Sequence, residues 1–120
     1  MREEIQTLAE ILTSPSEEER ELLKLLCAAA EREVLGRLRS ENDWESCRET
    51  CLCAAAWLAA AGLLTGRAAR AGESFTVGDV SISGDKGQLA ERAICLRRQA
   101  LELLRPYCAD QNFAFRGVAG

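Results

Sequence analysis

Apolar positions recur at helical spacing over most of the chain, and one stretch has no polar side at all. From Cys51 to Leu64 the sequence reads CLCAAAWLAAAGLL, fourteen residues without a charge. A helix that is apolar all round must be covered all round, here by neighbouring helices or by other copies of the chain. Spanning a membrane takes about 20 predominantly apolar residues. Glu49 and Arg67 close this window sooner, so a buried core helix is the expectation.

The flanking segments are apolar on one side only. Ile5, Leu8, Ile11 and Leu12 predict a short first helix that lays one stripe on the domain and ends at Ser14-Pro15. Two capping frames follow, Ser14 with Pro15 and Glu17, or Ser16 with Glu19 one step later. A second helix then runs from Glu17 to about Leu38, with Leu23, Leu26, Cys27, Ala30, Val34 and Leu38 on its apolar stripe. Ser40 to Asp43 reads as a turn, and Asn42 with Glu45 opens a third helix from about Trp44 to Leu64. Asp85 with Gln88 caps a fourth, carrying Leu89, Ala93, Leu96, Ala100, Leu103 and Leu104 and closed by Pro106.

Between the third and fourth helices the period changes from helical to alternating. In ESFTVGDVSIS, over 73–83, Phe75, Val77, Val80 and Ile82 alternate with polar residues on either side of Gly78-Asp79, which is a hairpin pattern. All four apolar side chains then share one face, and a two-stranded hairpin is marginal alone, so it must lie on the helices or on another subunit. The tail, 109–120, offers Phe113 and Phe115 at strand spacing with Arg116 beside them, an anchor for strand addition to a partner. The fold expected is mainly all-α, a small bundle of about four helices with a β-hairpin or extended loop before the last. One helical domain spans 1–108 and the tail spans 109–120.

Composition narrows the chemistry. With 15 Lys plus Arg against 19 Asp plus Glu the chain carries a formal charge of -4 and as a whole repels nucleic acid. Arg67, Arg70, Arg92, Arg97, Arg98 and Arg105 are spread over the loop and last helix, and a helix from Trp44 onward is too apolar to read base edges. A small DNA-binding or regulatory protein is therefore the alternative function, with Arg92, Arg97, Arg98 and Arg105 facing phosphate. There is no histidine for proton transfer, no nucleophile elbow and no Gly-rich phosphate loop, so neither an enzyme nor a cofactor is expected. Cys47, Cys51 and Cys53 are close in sequence, but they fall in a helical pattern rather than on loops, no histidine completes a mixed site and Cys53 points away from the other two, so no metal is expected. Cys27, Cys53 and Cys95 lie in apolar runs that would bury them as inert thiols. Met1 to Leu12 is amphipathic rather than leader-like, so a cytoplasmic origin is expected.

Three stretches together resemble the head-to-tail connector, or head-completion adaptor, proteins of tailed bacteriophages. They are the acidic turn into SPSEEERELLKLLCAAAEREVLGRL, the alanine-rich CLCAAAWLAAAGLLTGR, and ESFTVGDVSISG, similar to the S-E-S-x-G-D-V-S-V-S type segment before the last helix of such prophage proteins. The resemblance covers most of Ile5 to Leu104. It implies a structural phage or prophage protein of the virion, made in the host bacterial cytoplasm, that forms a ring on the portal protein and joins it to a tail or stopper protein. The genome would pass through the channel without sequence-specific binding. A ring needs two different surfaces on each copy. The candidates are Phe75, Val77, Gly78, Asp79, Val80 and Ile82 in the hairpin and Phe113, Phe115 and Arg116 in the tail.

Overall fold

The computed structural model describes residues 1–38, 45–71 and 84–108, with the side chains of 84–87 outside the description. These residues form an all-α bundle of α1 (Arg2–Thr13), α2 (Glu17–Arg37), α3 (Arg48–Arg70) and α4 (Gly84–Leu104). A single 3-10 turn, Arg105–Tyr107, carries Pro106 and ends the last helix. The expected hairpin residues Phe75, Val77, Gly78, Asp79, Val80 and Ile82, the tail residues Phe113, Phe115 and Arg116, and the Asn42 cap all lie outside the described residues.

The central element is α3, which packs against α1, α2 and α4. Its alanines make this geometry feasible, because Ala54, Ala55, Ala56, Ala59 and Ala60 present almost no side chain and let three helices approach one axis. At Gly62 the approach is closest, since a Cβ there would lie 2.8 Å from Leu26 Cδ2 of α2. By length and composition α3 could cross a membrane, yet 61% of its apolar window is buried inside the fold. The chain's own helices thus supply most of its apolar cover.

Around α3, the second helix buries Leu23, Cys27, Ala30 and Val34, a stripe repeating at three and four residues as its pattern predicts. From α4 come Ala93, Ala100 and Leu104. The N-terminus of α2 chooses the later capping frame: Ser16 accepts from the Glu19 backbone N–H, and the Glu19 carboxylate accepts from the Ser16 N–H. Ser14 instead ends α1 in a left-handed conformation, φ 47°, with its N–H donating to the Glu10 carbonyl. A left-handed residue turns the chain too sharply to begin a helix there, so the next frame takes over.

Two expectations change. The face of α1 that turns inward is Ile5, Ala9 and Thr13, at four-residue steps, and not the Ile5, Leu8, Ile11, Leu12 stripe. Ala9 permits close approach, and Thr13 satisfies its buried hydroxyl by donating to the Ala9 carbonyl. Leu8, Ile11 and Leu12 stay at the surface, Ile11 at 72% exposure and Leu12 at 48%. The second change is that α3 continues past Leu64 to Arg70. Beyond the apolar run its last turns are held by polar contacts to the start of α2, described next.

Candidate interaction surface

The densest polar cluster joins the α1–α2 turn to the C-terminal end of α3. Glu19, only 8% exposed, receives Arg67 Nη2 at 2.8 Å and Nε at 2.9 Å, and Arg70 Nη2 at 2.6 Å. Arg67 Nη2 also donates to the Thr13 carbonyl at 2.8 Å, satisfying an orphan acceptor at the end of α1. Arg67 hydrogen bonding outweighs the cost of burial and, with the Ser16 and Arg70 hydrogen bonds, holds the Glu19 carboxyl at about 2. The cluster has every charge paired and sits at a helix junction. It is a fastening of three elements.

Beside this cluster a cleft of about 470 Å³ opens between α1 and α4. Leu12 and Thr13 form one wall, Leu89 and Leu96 line the other, and Ala60, Leu64 and Arg67 of α3 form the floor. The floor residues fall at four- and three-residue steps, so they are one stripe of α3. The same stripe continues back to half-buried Trp57 and exposed Cys53. Among the described residues, three helices therefore cover α3 on three sides and leave the fourth partly open. The volume is in the range of binding clefts, roughly 300–1,000 Å³, and the walls are mainly aliphatic. Arg92 and Gln99 add donors at the α4 side. No carboxylate lines it among the described residues, so its chemistry suits apolar side chains flanked by acceptors more than proton transfer.

The arginines considered for DNA are mostly engaged. Arg67 and Arg70 pair with Glu19, Arg97 with Glu33 at 2.8 Å, and Arg105 with Glu102 at 3.1 Å. Burial alone would raise the Glu33 pKa, but hydrogen bonds from Arg97 and Arg37 lower it instead. Each such carboxylate cancels positive charge that phosphate would otherwise meet. Further contacts tie the ends together, Arg2 to Glu31 and Arg48 to Glu4.

The cysteines divide by environment. Cys27 is buried, and desolvation pushes its thiol up to about 11. Cys53 and Cys95, expected inside, are exposed: Cys53 continues the open stripe of α3, and Cys95 lines the cleft on the α4 side. Cys47 and Cys51 are both buried with their sulfurs 3.1 Å apart. Among the described residues no group of three or more His, Cys, Asp or Glu side chains is arranged to hold a metal ion.

Sequence reasoning located Arg67 and Arg70 only as part of a dispersed set of basic residues, without a partner for either, and it missed the cleft. A signal was present for both. An arginine at the end of an otherwise buried helix calls for a carboxylate, and α1 carries more large apolar residues than one helical stripe can bury. No protein-family model, curated protein or solved structure matches this chain. The class that the fold defines is a small all-α bundle built around one apolar helix, with an aliphatic cleft on its open side.

Proposed function

We propose that this protein is a structural adaptor of a tailed phage or prophage. In this reading it is a head-to-tail connector that assembles as a ring on the portal protein and offers its far side to a tail or stopper protein. The observation that carries the reading is the aliphatic cleft between α1 and α4. A heterologous ring needs a receiving surface on each copy and a different projecting one. The cleft supplies the first, and the 73–83 segment, with Phe75, Val77, Val80 and Ile82 alternating in sequence, is proposed as the second. Exposed Leu12 at the cleft edge, with exposed Ile11 beside it in sequence on α1, extends the apolar area offered to a neighbour.

The experiment is the light-scattering mass of the protein during size exclusion, alone and mixed with a portal protein from the same locus, where the locus encodes one. A ring-sized particle or a portal complex supports the adaptor reading. A monomer that ignores the portal, together with DNA binding that weakens steeply with salt, overturns it in favour of a regulatory DNA-binding role.

A further inference from the structure

Cys47 and Cys51 stand apart from the other cysteines in being both buried and mutually in contact. Cys47 precedes α3 and Cys51 lies in its first turn, and the Cys51 N–H donates to the Cys47 carbonyl at 2.8 Å. Four residues of helical rise separate their Cα atoms by about 6 Å, within the span a disulfide bridges. Their sulfurs approach to 3.1 Å, so the side chains already point at each other. Cys108 is near enough to influence the Cys51 thiol electrostatically. It also forms an antiparallel bridge with Leu38, bringing the end of α2 and the end of the last helix to this corner.

We propose that Cys47 and Cys51 are a dithiol pair that converts reversibly to an intramolecular disulfide. The oxidant is a small-molecule disulfide such as oxidised glutathione. The Cys47 thiolate attacks one sulfur of the oxidant, forming a mixed disulfide and expelling one small-molecule thiolate. The Cys51 thiolate then attacks the Cys47 sulfur, forming the Cys47–Cys51 bond and expelling the second. The two protein thiols are oxidised by two electrons, the oxidant's disulfide is reduced to two thiols, and the two protein protons end on those thiols.

Burial, and then the contact with Cys47, pushes the Cys51 thiol up to about 12. Ring closure by the Cys51 thiolate is therefore slow near neutral pH in the closed fold, and it accelerates about tenfold per pH unit while thiolate is a small fraction of Cys51. The inference does not depend on the adaptor reading.

The test treats the whole protein with oxidised glutathione, alkylates the remaining thiols after unfolding, and maps the product by mass spectrometry. The expected product lacks two hydrogens, has Cys47 joined to Cys51, and returns to six alkylatable thiols on reduction. Cys51→Ser abolishes it, whereas Cys53→Ser with Cys95→Ser leaves it intact. Cys47 and Cys51 both still alkylated after treatment, whether or not exposed Cys53 and Cys95 carry glutathione, overturn the proposal, as does a bond from Cys51 to Cys108 in place of Cys47.

Discussion

The two flanks of α3 are built differently. On the α2 side, Leu23, Cys27 and Val34 are wholly buried, Gly62 brings the helices close, and Glu19 fastens Arg67 and Arg70 at the end. On the side facing the cleft, Ala60 and Leu64 form a floor that Leu12 and Leu96 flank without closing. Both flanks are apolar in sequence, and among the described residues only one is closed. Helical periodicity reports which residues avoid water, but the same avoidance serves an internal core and a surface reserved for another molecule.

The largest effect expected on the closed flank comes from Leu23→Ala. Leu23 is fully buried, and a cavity there should remove about 2–5 kcal/mol in denaturant unfolding. A loss as small as at an exposed position would mean that the flank is loosely packed.

Glu19→Gln follows. Lowering a carboxyl from 4.5 to about 2 corresponds to an upper bound of roughly 3 kcal/mol, less whatever solvent screening removes at the half-exposed Arg70. Because the folded pKa is depressed, this contribution is full above 4.5 and is lost as pH falls through about 2. The wild-type advantage over the variant, measured by unfolding at a series of pH values, should shrink across that window. An advantage independent of pH would assign the role of Glu19 to packing.

A smaller change of opposite sign is expected at Gly66. An added Cβ there meets Leu22 Cδ2 at an ordinary 3.8 Å, so Gly66→Ala should stabilise by up to about 1 kcal/mol through helix propensity. At Gly62 the same substitution must displace Leu26, and the gain should be reduced or reversed. Equal effects at the two glycines would show that α2 approaches α3 no more closely at one than at the other.

On the open flank Leu12→Asp should alter the stability of the isolated chain least, by about 0.5 kcal/mol or less, since Leu12 is half-exposed. Its expected effect is on assembly. A large fall in stability instead would place Leu12 in the core of the isolated chain.

Much of this architecture is legible in the residues. The charge-free run marks the central helix, the α2 stripe repeats without interruption, and Ser16 with Glu19 spells its own cap. The α1 face was misread because Leu8, Ile11 and Leu12 outweigh Ala9 and Thr13 on any hydrophobic count. The inward face is chosen by how closely a small residue lets the backbone approach. The cleft was invisible for a related reason, since it arises from the spacing between α1 and α4 and no local pattern encodes that distance. The Glu19–Arg67–Arg70 cluster joins residues 48 and 51 positions apart, which one-dimensional spacing does not reveal.

The measurement that tests the receiving-surface claim most directly mixes two variants, Leu12→Asp in the cleft and Val77→Asp in the 73–83 segment, and follows mass by light scattering with and without the portal protein. Each variant alone should stay monomeric with unchanged helical content. The mixture should yield one-to-one pairs and no ring, because one intact cleft and one intact segment remain. Either variant assembling as the wild type does would contradict the account.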